Sequence, residues 1–221
     1  MFYEVLLGPC ACLALALDGT WCLHASAVTD GRDVAAFVGG SGRGKSTLAR
    51  RFATGDLYPW RRCADDVLPV EAAATGALAL PGFPQLKLAD PAGQAAEAPE
   101  RPLLRVVYLL EWAADARPAN VEQMAGAPAV AAFVAHTHAA RLFGHDLLER
   151  HLVSCGRLAS EVPVRRLTFE RNLEALDAVA RTGRDLRVTF NCRYMPHMVQ
   201  VKDLLMQGVV GEILSAEVQW W

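Results

Sequence analysis

No CxxC pair occurs among the six cysteines, Cys10, Cys12, Cys22, Cys63, Cys155 and Cys192, which removes zinc-knuckle and thioredoxin-type sites. Buried free thiols in a reducing cytoplasm are expected instead. Net charge is almost absent as well: 22 basic residues against 24 acidic ones leave a formal charge of -2. No global field draws nucleic acid or an anionic membrane, so a polyanion has to be held by a local site. Long apolar runs are also missing. The opening FYEVLLGPCACLALALDG has no basic start and carries Glu4, Gly8, Pro9 and Asp18 around its apolar centre, so neither a secretory leader nor a bilayer span is expected. Residues 10–17 suit a buried helix. The chain has no internal repeat and no low-complexity tract.

What is present fits one sizeable core. With 221 residues, 52% of them apolar and 21% charged, the chain reads as a globular protein with room for a small appendage. LHASAV and VAAFV flank the turn-rich TDGRD and predict a hairpin. From Lys45 the period becomes helical, with Leu48 and Phe52 on one face and Gly55 as a stop. RRCADDVLPV predicts a strand interrupted by an acidic pair. EAAATGALAL and PGFPQLKL predict further extended segments around a proline-bounded turn. After the polar loop 91–102, LLRVVYLLEW predicts a strand, Val121–Arg157 a helix-rich stretch, EVPVRRLTFE a strand, and NLEALDAVART a helix capped at Asn172. Strands mixed with helices over this length favour an α/β core.

Residues 39–46, GGSGRGKS, match GxxxxGK[ST] between a predicted strand and a predicted helix. Glycines there let backbone N–H groups converge on phosphate oxygens, and a helix N-terminus favours negative charge. Gly39, Gly40, Ser41, Gly42, Arg43, Gly44, Lys45, Ser46 and Thr47 are therefore the expected nucleotide-binding residues. Lys45 suits the β and γ phosphates, and the Ser46 hydroxyl suits Mg²⁺. Phosphate binding alone does not separate a kinase from a hydrolase or a nucleotide sensor.

Asp65 and Asp66 follow about twenty residues later, where a carboxylate can return to the loop. Two such groups can divide proton transfer and metal binding, provided a bulge or a strand end turns both toward the phosphate. A plain surface turn is the alternative for ADD, as a core histidine is for His24. His136 and His138 form HxH, with His145 and His151 beyond. Residues two apart do not share a helix face, and no carboxylate or cysteine at ligand spacing completes a site, so no metal centre is expected there.

LHASAV, GGSGRGKSTLA, ADDV, PGFPQLKL and VPVRRLTF together resemble the C-terminal catalytic domain of HPr kinase/phosphorylase, in particular the shorter HPr-kinase-like serine kinases, over residues of about 5–179. The resemblance implies an α/β P-loop kinase domain related to phosphoenolpyruvate carboxykinase, with a mixed rather than a doubly wound sheet. It implies ATP and Mg²⁺ as cofactors and phosphate transfer to a serine of a partner protein or peptide. It also implies catalytic roles for His24 and Asp65, with Asp66 assisting Ser46 at the metal. The EIRGLG-type segment that follows the acidic pair in the true enzymes is absent, as is their N-terminal regulatory domain. The resemblance therefore carries neither phosphorolysis, nor recognition of HPr, nor hexameric control. Lys87 and Arg105 are the cations that could substitute. A cytoplasmic location without nucleic-acid or membrane partners is expected, and a homo-oligomer is left open.

Residues 180–221 change character. LRVTFN predicts a strand, Val201, Leu204 and Leu205 one face of a helix ending at Gly208, and the approach to Trp221 a second strand. VTFNCRYMP and VKDLLMQGVVGEI resemble the start of the substrate domain of the Gfo/Idh/MocA oxidoreductases. The GxGxxG and Glu-Lys-Pro motifs of those enzymes are absent. The expected domains are thus 1–179, HPr-kinase-like, and 180–221, an oxidoreductase-like β-α-β fragment. An ATP-dependent serine kinase is the leading expectation. A non-catalytic ATP-binding regulatory module and an oxidoreductase remnant are the alternatives.

Overall fold

A computed structural model of the chain describes residues 6–54, 60–74, 76–81, 83, 101–114, 116 and 119–171. The chain divides into two units, Met1–Thr182 and Gly183–Trp221, and every described residue lies in the first. The expected Asn172 helix, Lys87, Gly55 and the β-α-β fragment of 180–221 lie outside the described residues.

The first helix, α1 (Ala11–Leu17), buries Cys12 and Ala16 but leaves Leu17 58% exposed. It is thus amphipathic rather than wholly buried. Strands β1 (Trp21–Leu23), β2 (Ala25–Thr29) and β3 (Asp33–Val38) follow. The expected hairpin is β2–β3, paired from Ala25↔Val38 to Thr29↔Val34. Its turn is closed by side chains: Asp30 Oδ1 accepts the amides of Arg32 and Asp33, and Thr29 Oγ1 accepts the Gly31 amide. Asx turns of this kind give a tight loop its backbone partners.

Helix α2 (Lys45–Thr54) leads to β4 (Arg61–Ala64), β5 (Leu68–Ala73), β6 (Gly76–Ala79) and the ten-residue β7 (Leu103–Trp112). Val121–Met124 is not helical as expected but belongs to an edge strand, β8 (Asn120–Met124), antiparallel to the last strand, β9 (Val164–Phe169). Asn120, Glu122 and Gln123 face solvent there while Met124 is buried, and cross-strand pairing with β9 outweighs the weak helical period of four residues. Helices α3 (Ala127–Ala135) and α4 (His145–Glu161) follow, separated by a non-helical connection that holds a one-residue bridge at Thr137 and a single 3-10 turn, Ala140–Leu142.

The sheet runs β1-β5-β6-β7-β3-β2-β4, with β9 and then β8 added along the later part of β7. Pairs β3–β7 and β7–β9 are parallel, and the others are antiparallel. The sheet is therefore mixed, as the resemblance implied, and both of its faces are covered. All six residues of β3 are buried. Val34, Ala36 and Val38 join the cluster of Trp21, Phe133, Leu147 and Leu158, while Phe37 stacks on Phe52 of α2 at 5.8 Å and on Tyr108 at 6.0 Å. A near-continuous apolar strand buried on both sides is what parallel pairing requires. It also brings the C-terminal end of β3 to the start of the glycine loop.

Candidate functional site

The loop between β3 and α2 takes its shape from its glycines. Gly39, Gly42 and Gly44 have φ of 149°, 74° and 91°, values that side chains rarely adopt. At Gly39 a Cβ would also sit 3.1 Å from the Leu110 carbonyl oxygen, so the loop packs directly on β7. Lys45, only 7% exposed, donates from Nζ to the carbonyls of Gly39 at 2.9 Å and Gly40 at 3.2 Å. The lysine thereby folds back over the loop at the start of α2. Arg43 lies over the Trp112 ring at 4.9 Å, and Arg171 lies over the same ring at 4.2 Å, contacts worth about 0.5–2 kcal/mol. Sequence reasoning named Arg43 but missed Trp112, whose only signal was an aromatic at the end of an apolar strand.

The acidic pair sits just past the end of β4, which meets the strand-end condition. The two carboxylates nevertheless take different partners. Asp65 Oδ1 accepts the Ser46 hydroxyl at 2.6 Å and the Ser26 hydroxyl at 2.7 Å, the two Oγ atoms being 3.3 Å apart. Its Oδ2 lies 3.8 Å from Nη1 of Arg62, a buried donor with no hydrogen-bond partner among the described residues. Buried Asp65 and Ser26 and half-buried Ser46 thus form an all-oxygen group at the foot of the loop. Such donors suit a hard cation such as Mg²⁺. Ser26 was not foreseen, and its alternation with His24 along LHASAV was the available signal.

Asp66 adopts φ 82°, unusual for a residue with a side chain. Its Oδ1 stands 3.3 Å from Nε2 of His24, the two side chains being 42% and 33% exposed. His24 is not a core residue. Burial, followed by the positive charges of Lys45 and His138, lowers its pKa to about 4 against the opposing pull of Asp66. The imidazole is therefore neutral at neutral pH.

His138 completes this group. Its Nε2 is 2.9 Å from the backbone carbonyl of Asp66, and its ring stacks on that of His24 with centroids 4.8 Å apart. The sequence offers no carboxylate at ligand spacing to HxH; the structure brings Asp66 and His24 to His138, whereas His136 is not part of the group. Leu23 and Thr137 form an antiparallel bridge; the His24 amide donates to the His136 carbonyl and the His138 amide to the Cys22 carbonyl, both at 2.7 Å. Asp66, distant in sequence, supplies the missing carboxylate. His136 also lies near Lys45, and burial and then that lysine lower its pKa.

Arg105, on β7, pairs with Asp33 at 3.0 Å, at the opposite end of β3 from the glycine loop. It does not reach the site.

No protein-family model matches the chain, and no curated protein does. Among solved structures, the Hpr(Ser) kinase/phosphatase from Coxiella burnetii matches with a TM-score of 0.40 at 10% identity, over 87% of this chain and 99% of that one. No described helix is long and apolar enough to cross a membrane.

Proposed function

We propose that the chain is a phosphotransferase that moves the γ-phosphoryl group of MgATP to a hydroxyl, the acceptor being a serine of a protein or peptide. The observation that carries the proposal is the junction of three parts at one point. A glycine loop with a buried lysine, a serine hydroxyl bonded to a buried carboxylate, and a second, solvent-facing carboxylate beside a neutral imidazole meet across Ser46, Asp65 and Asp66.

The loop amides and Lys45 bind the phosphates, and Lys45 shifts its hydrogen bonds from the Gly39 and Gly40 carbonyls to phosphate oxygens. Ser46 and Asp65 hold Mg²⁺, which when bound neutralises phosphate charge. This exchanges the roles that the resemblance implied for the two aspartates. The supporting argument is positional: Asp65 is buried against Ser46, whereas Asp66 is open to an incoming substrate. Asp66 takes the proton of the acceptor hydroxyl, whose oxygen forms a bond to the γ-phosphorus as the bond to the β–γ bridging oxygen breaks. ADP leaves with that electron pair. His24, neutral and 3.3 Å from Asp66, flanks this carboxylate and keeps it positioned for the acceptor.

The test is mass spectrometry of serine-containing proteins and peptides after incubation with the chain and MgATP. Phosphoserine formed by the wild type and lost in Asp66→Asn supports the proposal. ATP binding with no transfer to any acceptor would point to a nucleotide sensor instead.

A further inference from the structure

We infer that His24, Asp66 and His138 form a binding site for one borderline divalent metal ion, for which Zn²⁺ is the best match. One ligand atom from each lies within 4.8 Å of the other two. The 3.3 Å between His24 Nε2 and Asp66 Oδ1 is about the edge of a tetrahedron with metal–ligand bonds of about 2.0–2.1 Å. A metal ion fits between these two atoms with little movement. For His138 to join them, its ligand atom moves in from within 4.8 Å, and Nε2, if it is the ligand, leaves the Asp66 carbonyl.

Two further features separate this cluster from a chance meeting of polar groups. The bridge Leu23↔Thr137, with its two 2.7 Å backbone hydrogen bonds, holds both histidines on one support. The partly exposed carboxylate and imidazole leave a fourth position open to water or to a ligand oxygen. The donor set of two nitrogens and one oxygen also differs from the all-oxygen group at Ser46 and Asp65, so the two sites select different ions: borderline Zn²⁺ here and hard Mg²⁺ there.

The inference rests on side-chain placement alone: Zn²⁺ on Asp66 and His24 withdraws that carboxylate from the role of base proposed above, so the metal-bound form is an inhibited one, and the test uses Zn²⁺ without nucleotide. Titration calorimetry of the full chain in excess Mg²⁺, with exposed Cys10 replaced by serine, is expected to show one Zn²⁺ per chain. His138→Ala and Asp66→Asn each weaken binding by about 100-fold or more, because loss of a direct ligand costs at least as much as loss of a supporting one. Arg105→Ala, at the far end of β3 from the cluster, leaves it intact. His138→Gln, of similar size, gives the same loss if the alanine variant fails to fold. Co²⁺ in place of Zn²⁺ is expected to give visible bands without sulfur-to-cobalt charge transfer. Absence of Zn²⁺ binding by the wild type, unchanged binding in the Asp66 and His138 variants, or a thiolate spectrum would overturn the assignment.

Discussion

Asp65 leaves 5% of its side chain exposed and receives two hydroxyls, whereas Asp66, the next residue, leaves 42% exposed and faces two imidazoles. Their surroundings differ where the strand stops. β4 ends at Ala64, Asp65 is buried, and Asp66, with its left-handed φ, is the more exposed of the two. One strand end therefore serves two half-sites. The inner half joins the glycine loop to Asp65, and the outer half joins Asp66 to the bridge that carries His24 and His138. The lesson is that adjacent carboxylates should be assigned roles by their partners and exposure, since spacing alone cannot distinguish them.

The strongest way to break this comparison is Lys45→Ala. The lysine is the buried cation of the inner half, and removing it is expected to lower phosphotransfer about 1000-fold, in line with loss of a preorganised phosphate clamp. MgATP affinity measured by calorimetry falls with it. If Lys45→Ala also weakened Zn²⁺ binding at the outer half, the division into two half-sites would be wrong.

The next test exchanges the aspartates. Asp66→Asn is expected to lower kcat about 100-fold, the scale of losing a general base, with MgATP affinity close to that of the wild type. Asp65→Asn instead raises the Mg²⁺ concentration needed for half-maximal activity, since its carboxylate faces Ser46. The opposite pattern, with Asp65→Asn sparing Mg²⁺ dependence and abolishing transfer, would restore the order of roles that the resemblance implied.

How much of each half could be read in the sequence follows from how its contacts are made. The inner half is nearly local: the strand, the glycines, Lys45, Ser46 and the start of α2 are contiguous between residues 33 and 54, and hydrophobic period changes from strand to helix across the motif itself. The acidic pair could be found because it follows at the next strand. The outer half could not be found this way. His24 and His138 meet through a bridge more than one hundred residues long in sequence, made by one residue pair with no apolar alternation to mark it. A helical reading of Val121–Arg157 then placed the two histidines of HxH on different faces. β8 was missed for a related reason, since an exposed edge strand has only its cross-strand partner to stabilise it.

The smallest expected effect concerns the support beneath the outer half. His151, 2% exposed, has Nε2 at 2.9 Å from Thr137 Oγ1 and 3.2 Å from Cys155 Sγ. Thr137 gives its own proton to the Phe133 carbonyl at 2.8 Å, so His151 Nε2 is the donor to Thr137, the centre of the bridge. The rings of Trp21 and Phe143 pack on the imidazole at 4.9 and 5.4 Å. None of these neighbours carries charge at neutral pH, because burial pushes the Cys155 thiol up to about 12. Burial accordingly lowers the pKa of His151 from its ordinary value. As pH falls through the ordinary histidine range, the unfolded chain takes up this proton before the folded one does. The stability contribution is full above that range and declines as pH drops toward the lowered folded value. His151→Gln is expected to cost about 1 kcal/mol at pH 8, the worth of one hydrogen bond, with a smaller cost at pH 5. Urea unfolding of both proteins at the two pH values measures this. A cost that grew on acidification would mean that the imidazolium is the form that holds Thr137, and the bridge would then be stabilised by charge rather than by a neutral hydrogen bond.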